Sequence, residues 1–131
     1  QNTKSLRQVA ESMVGDWNAI TAVSRQNYYD WWAFRARNLG LDYDCHNEEE
    51  KMNGNCDEWS IRTKHLRMNE TFRRVESAFN GIAVYKFQQI PKDAKYVGLK
   101  NGKEICEHVM FHEKLPVIYI HPGIVTSTWD Q

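Results

Sequence analysis

The chain has 131 residues, of which 41% are hydrophobic and 26% charged, and its 17 basic side chains balance 17 acidic ones. This length fits one domain over residues 1–131 that buries roughly two thirds of its unfolded surface. The balanced charge excludes an electrostatic footprint for nucleic acid, and the apolar runs are too short to cross a membrane. The N-terminal residues lack the pattern of a signal peptide, so we expect a soluble chain that is cytosolic or already processed.

The first predicted element is a short amphipathic helix over residues 5–14. Ser5 and Gln8 have the spacing of a capping box, and apolar residues then recur at helical intervals. Residues 27–35 bring the alternating aromatic pattern of a strand, and a helix over 28–37 is the competing interpretation.

Short strands are predicted along the rest of the chain. Residues 45–57 are rich in charge, Asn and Gly and indicate an exposed loop or a turn between short strands. Asn101-Gly102 lies between two apolar segments and is the strongest indication of a β-hairpin. The other predicted strands are 58–66, 69–76, 82–90, 117–120 and 124–129. Seven or eight short strands after one helix favour a mostly β fold, a closed barrel or a sandwich.

A polar cluster after the hairpin is the best candidate for catalysis, and it consists of Glu104, Glu107, His108, His112 and Glu113. In a strand, His108 and His112 share one face and Glu107 lies on the other, so the logic of a helical zinc site does not apply. The sequence contains no nucleophile motif, phosphate-binding loop or paired metal-ligand spacing. It therefore predicts no enzyme, no cofactor and no metal site.

The aromatic content, with five Trp, six Tyr and five Phe, points instead to binding. Ligand cavities in small barrels combine aromatic walls with a few inward polar groups. In the first predicted strand, Tyr29, Trp31 and Arg35 share a face. The residues that share a face along 105–111 are Ile105, Glu107, Val109 and Phe111. Glu107 would be the only charged residue on that face, and its carboxylate would neutralise a ligand amine or pair with Arg35.

Three segments resemble the secreted lipocalins of tick saliva. They are Gly15-Asp16-Trp17 with Asn27-Tyr28-Tyr29 about ten residues later, Tyr43-Asp44-Cys45, and the stretch 101–120. The resemblance implies an eight-stranded antiparallel lipocalin-like barrel with a short N-terminal helix. It also implies a secreted protein that sequesters host mediators such as histamine, serotonin or leukotrienes without converting them.

The resemblance implies binding positions as well. Family members that hold amines use acidic and aromatic cavity side chains, which correspond here to Glu107, Glu76, Trp31 and Tyr29. Those members usually have a YxxDP stretch after the first strand, whereas this chain has Arg35 there, which would suit a ligand carboxylate. Amine and acidic lipid both stay open as ligands, and cation–π contact with aromatic walls favours the amine.

The cysteines leave two disulfide pairings open, because the family's partner for Cys45 is missing. These are Cys45–Cys106 and Cys45–Cys56. The sequon at Asn69 permits secretion. We expect a monomer that binds a small molecule and neither nucleic acid nor membrane.

Two other functions compete with sequestration. One is a protein-interaction module or inhibitor with a filled core, in which exposed Trp and Tyr are the contact anchors. The other is a small α+β enzyme, in which residues 28–37 would be helical.

Overall fold

Two helices and six strands make up the described part of the chain. The computed structural model describes residues 5–13, 15–24, 30–46 and 72–126. The helices are α1 (Leu6–Ser12) and α2 (Glu107–His112). The strands are β1 (Ala19–Ser24), β2 (Arg73–Val75), β3 (Ala83–Tyr85), β4 (Leu99–Lys100), β5 (Lys103–Glu104) and β6 (Ile118–Thr126). Single turns of 3-10 helix lie at Trp31–Ala33, Arg37–Leu39 and Phe87–Gln89.

Four of these strands form a mixed sheet in the order β2-β6-β1-β3. Strand β6 runs parallel to β1, and the two outer strands are antiparallel to their neighbours. Strands β4 and β5 pair only with each other. The long strands β1 and β6 therefore occupy the interior of the sheet, and the three-residue strands β2 and β3 form its edges.

The predicted eight-stranded antiparallel barrel is wrong. Within the described ranges the chain has six strands, in one open four-stranded sheet and one separate hairpin. The parallel pairing of β1 with β6 is also foreign to an antiparallel barrel. The fold is a mixed α/β arrangement, because segments predicted as strands take other conformations.

The segment 28–37 is one of these, and neither of its two interpretations holds in the described part. Residues Trp31–Ala33 form a 3-10 turn, after which Arg35 makes an isolated bridge to Ser77. The aromatic alternation therefore did not produce a strand, because a single turn and isolated bridges satisfy this segment's backbone instead.

The second segment that was predicted as a strand lies after the Asn101-Gly102 turn, and its residues 107–112 form α2. Glu107 lies in the first turn of this helix, where a negative side chain is favourable. A short apolar run such as Val109–Phe111 suits a buried helix as well as a strand, so periodicity alone could not separate them.

Several local predictions are confirmed. Helix α1 begins at its capping box, in which the Gln8 N–H donates to Ser5 Oγ (3.1 Å) and the Ser5 N–H donates to Gln8 Oε1 (2.8 Å). The β4–β5 hairpin turns at Asn101 and Gly102, whose φ angles of 53° and 77° are those of a type I′ turn.

The remaining strand predictions are confirmed in part. Strands β2 and β3 lie within the predicted ranges 69–76 and 82–90, but each has only three residues. The predicted strand 117–120 and the described part of the predicted strand 124–129 are joined in the single strand β6. The predicted strand 58–66 lies outside the described residues.

Both faces of the sheet are covered. One face contributes Ala19, Val23, Ile118 and Ile120 to a core that includes Phe34 and Leu41. The opposite face contributes Ile20, Ala22 and Ile124 to a second core, which contains Val9 of α1 and Trp17. Strand β1 is therefore buried on both sides. Neither helix in the described ranges is long and apolar enough to span a membrane.

Strand β6 contains a bulge at His121-Pro122-Gly123. Between two paired positions, β1 advances two residues (Thr21 to Val23) while β6 advances five (Ile120 to Val125). The Gly123 N–H donates to His121 Nδ1 at 2.8 Å. A Cβ on Gly123 would lie 3.0 Å from the His121 ring and 3.2 Å from Val9 Cγ2, so the bulge leaves little room for a side chain.

Substitution Gly123→Ala should therefore destabilise the protein. The added methyl group must push the His121 ring or Val9 aside, which costs about 1–3 kcal/mol of unfolding free energy. Urea unfolding followed by circular dichroism measures this loss. Gly98→Ala is the matched control, because a Cβ there meets no atom closer than 3.7 Å. Equal stability of the two variants would show that the bulge is not crowded.

Candidate functional site

Helix α2 places its polar side chains differently from a strand. Residues four apart share one side of a helix, so His108 and His112 lie one turn apart with ring centroids 6.2 Å from each other. Glu107 and Phe111 belong to the same side of α2. The strand argument that separated Glu107 from the two histidines is therefore wrong.

A continuous group of rings surrounds this side of α2. We call it the ring cluster, and its members are Phe79, Tyr85, Tyr96, His108, Phe111 and His112. Phe79 stacks on His108 with centroids 3.9 Å apart, and Tyr96 meets the same imidazole in a T-shaped contact at 5.1 Å. Tyr85 makes a T-shaped contact with Phe111 at 5.5 Å. The rings come from α2, β3 and the loops after β2 and β3.

Two carboxylates, those of Asp30 and Glu107, act electrostatically on the outer part of the ring cluster. Burial lowers the pKa of His108, and the nearby carboxylates of Asp30 and Glu107 act in the opposite direction. Burial also raises the pKa of Tyr96, and the same two carboxylates add to that effect. Tyr96 is 57% exposed, so this part of the ring cluster is open to solvent. Negative charge beside accessible rings is a chemical environment for a cation.

The buried end of the ring cluster is a chain of three hydrogen-bonding side chains. His112 is 1% exposed, its Nδ1 lies 2.8 Å from Ser77 Oγ, and its Nε2 lies 2.7 Å from Tyr85 Oη. Burial, with a smaller effect from His108, lowers the pKa of His112 to about 3. Burial raises the pKa of Tyr85 to about 12. Imidazole and phenol are both neutral at pH 7, so one ring nitrogen donates and the other accepts.

This chain of side chains positions α2 and does not offer a nucleophile. A hydroxyl beside an imidazole is the pairing that activates serine in hydrolases. However, Ser77 is 1% exposed, and the Tyr85 hydroxyl occupies the second ring nitrogen of His112. No substrate can approach Ser77 Oγ in this conformation. The two bonds instead tie α2 to β3 and to the segment after β2.

The structure places one of the predicted site residues, Phe111, in the ring cluster, and another, Glu107, acts electrostatically on two of its rings. Trp31 packs against the same core as Phe111, and its indole Nε1 is buried without a hydrogen-bond acceptor in the described part of the chain. Val109 lies on the opposite side of α2, because residues two apart on a helix diverge. Tyr29 lies outside the described residues.

Arg35 and Glu76 are not members of the ring cluster, and their side chains have other partners, although Arg35 acts electrostatically on Cys106 at the N-cap of α2. The Arg35 side chain is 6% exposed, and its Nη1 donates to the main-chain oxygens of Trp32 (3.0 Å) and Phe34 (2.8 Å). Glu76 Oε1 accepts the main-chain N–H of Arg37 at 2.6 Å. The predicted common face of Trp31 and Arg35 does not exist, because residues 31–33 form a 3-10 turn.

Sequence reasoning named His108, Phe111 and His112 but missed Phe79, Tyr85 and Tyr96, the other half of the ring cluster. His108 and His112 have the i, i+4 spacing of one helix face, and that signal would have shown their proximity had the segment been assigned as a helix. Ser77, Phe79 and Tyr96 carry no such local signal, because they reach the site from distant segments.

The cysteines resolve one open question. Cys45 is disulfide-bonded, and Cys106 is a free thiol that is 3% exposed. The pairing of Cys45 with Cys106 is therefore wrong, and the partner of Cys45 lies outside the described residues. Burial raises the pKa of Cys106, so this thiol stays protonated and unreactive.

Comparison with known proteins gave no relative. No protein-family model matches the chain, and neither the curated proteins nor the solved structures include a significant match. Among the described side chains, no group of three or more His, Cys, Asp or Glu is placed to hold a metal ion. The site must be interpreted from its own chemistry.

The burial of neutral His112 should make the protein less stable in acid. The unfolded chain takes up a proton near pH 6.5, whereas folded His112 does so only near pH 3. His112 therefore contributes full stability above pH 6.5 and loses it as the pH falls towards 3, by up to about 1.4 kcal/mol per pH unit. Urea unfolding over this pH range should show a steeper loss for the native protein than for His112→Gln.

His46→Gln is the matched control, because His46 is exposed and lies outside the ring cluster. Where His112→Gln does not fold, NMR titration of the native protein gives the answer. Ring-proton signals of His112 that titrate around the ordinary value of 6.5 would contradict the prediction.

Proposed function

We propose that this protein binds a small organic cation at the ring cluster and sequesters it without chemical conversion. The observation that carries the proposal is that the carboxylates of Asp30 and Glu107 both act electrostatically on His108 and on the exposed Tyr96, whose rings meet in a T-shaped contact at 5.1 Å. A cation over an aromatic ring gains about 0.5–2 kcal/mol, and a charge-assisted hydrogen bond to a carboxylate adds to this.

The charges around the site favour a cation over an anion. Burial lowers the pKa of both histidines in the ring cluster, so they add no positive charge at pH 7. The nearby Lys100 ammonium is paired with Glu113, with Nζ and Oε2 2.6 Å apart. The Arg35 guanidinium acts on Cys106, as Asp30 does, but it is 6% exposed and donates to main-chain oxygens. Asp30 and Glu107 are the carboxylates that act on both Tyr96 and His108.

A flat, ring-bearing amine suits this environment best, and histamine and serotonin are the ligands we favour. An acidic lipid is less well supported, because Arg35 is buried and donates to main-chain oxygens. The disulfide at Cys45 supports secretion, since such bonds persist in oxidising compartments.

Tryptophan-fluorescence titration tests this proposal. We expect saturable quenching by histamine or serotonin and no response to leukotriene B4 or a long-chain fatty acid. Glu107→Gln should weaken amine binding about tenfold, which corresponds to about 1.4 kcal/mol. Glu11→Gln is the matched control, because Glu11 is exposed on α1, which packs against the opposite face of the sheet, and should leave the affinity unchanged.

Two other outcomes of this titration would contradict the proposal. Saturation by the lipid acids alone would contradict the amine site and place the ligand at Arg35. No response to any of the four compounds would overturn sequestration. A protein-interaction role would then be favoured, with Phe87 (85% exposed) and Leu99 (64% exposed) as contact side chains.

Tyr96 provides a second, independent test of the same site. Tyr96→Ala should weaken amine binding several-fold, because the ring that faces both solvent and the two carboxylates is lost. Isothermal titration calorimetry measures the change. Phe87→Ala is the control, since Phe87 is an exposed aromatic residue outside the ring cluster. Equal affinities of the two variants would contradict a role for Tyr96.

A further inference from the structure

We infer that Asn101 is a site of covalent modification by deamidation, and that the fold protects Asn80 from the same reaction. Both residues precede a glycine, and both have left-handed φ angles, 53° at Asn101 and 62° at Asn80. An asparagine followed by glycine is prone to deamidation, because glycine presents an unhindered main-chain nitrogen. Sequence alone does not distinguish the two sites, but their surroundings do.

The reaction needs only water. The main-chain nitrogen of Gly102 attacks Cγ of Asn101, a new N–Cγ bond forms, and the Cγ–Nδ2 bond breaks. The nitrogen's proton goes to the leaving amide, which departs as ammonia, and a five-membered succinimide remains. Water then opens either carbonyl of this ring, which gives aspartate or isoaspartate. In sum, an amide and one water become a carboxylic acid and ammonia, with no change of oxidation state.

Asn101 is placed for this reaction. Asn101 and Gly102 are both exposed at the tip of the hairpin. Strands β4 and β5 have two residues each and pair only with each other, so local opening of the turn breaks few contacts. An open turn gives the Gly102 nitrogen the freedom to approach Cγ.

Asn80 is held at both its side chain and its backbone. It is 0% exposed, its Oδ1 accepts the Asp30 N–H at 3.3 Å, and its own N–H donates to Asp30 Oδ2 at 3.2 Å. Its carbonyl oxygen accepts the Thr126 hydroxyl of β6 at 3.0 Å. Rotation of the backbone at Asn80 would break all of these bonds, which requires opening of the sheet region itself.

Deamidation at Asn101 changes how the hairpin is attached to α2. The Lys100–Glu113 ion pair, with Nζ and Oε2 2.6 Å apart, joins the two elements. A new carboxylate at position 101 lies between Lys100 and Lys103 and competes with Glu113 for the Lys100 ammonium. Isoaspartate also lengthens the main chain by one carbon, which breaks the type I′ turn. The modification thus loosens the hairpin beside Tyr96.

Incubation of the folded, full-length chain at mildly alkaline pH tests the inference. Peptide mapping by tandem mass spectrometry should show acid in place of amide at Asn101 at least about tenfold faster than at Asn80, since only the first site opens locally. Asn101→Gln is the control. The longer side chain of glutamine disfavours ring closure, so position 101 should stay unmodified in this variant. A third Asn-Gly pair, Asn53-Gly54, lies outside the described residues. Its deamidation is measured on its own peptide.

Urea distinguishes protection by the fold from any difference between the two local sequences. In urea, Asn80 and Asn101 should react at similar rates. An unmodified Asn101 in the folded protein, or equal rates at both sites without urea, would overturn the inference. A difference that persists in urea would overturn it as well. None of these outcomes depends on ligand binding.

Discussion

The pairing of β1 with β6 is the contact on which the rest of the structure depends. These two strands occupy the interior of the sheet, and each edge strand pairs with one of them over only three residues. Asn18 reinforces the pair at its beginning, because its N–H donates to the Val117 carbonyl (2.7 Å) and its Oδ1 accepts the Val117 N–H (2.9 Å). Without this pair, neither β2 nor β3 has a partner, and neither hydrophobic core has its sheet face.

The candidate site is attached to that sheet through one imidazole. Ser77 follows β2 at one edge of the sheet, and Tyr85 lies on β3 at the other edge, yet both hydrogen-bond to His112. The loops that carry Phe79 and Tyr96 then pack their rings against α2. The position of Glu107 relative to Tyr96 is therefore set by the sheet, although both residues lie outside its strands.

The features that could be predicted from the sequence are local ones. The capping box of α1 and the Asn101-Gly102 turn depend on residues within four positions of each other, and both are confirmed. The barrel was wrong because alternation at Trp31–Arg35 and Glu107–Phe111 does not distinguish a strand from a short helix or turn. In the site, Glu107 and Phe111 were identified, but their partners Phe79 and Tyr96 come from distant segments that no periodicity connects.

The sequence separation within the central strand pair has a consequence for how the chain acquires its structure. The Thr21 hydroxyl donates to the Tyr119 carbonyl across 98 positions of sequence, and the neighbouring β1–β6 contacts span similar distances. Such contacts give a high contact order, and the entropy of closing so long a loop must be overcome before the pairing contributes any stability. During synthesis, β1 stays without its main partner until β6 leaves the ribosome. This apolar strand is therefore exposed to aggregation in the nascent chain until its partner is made.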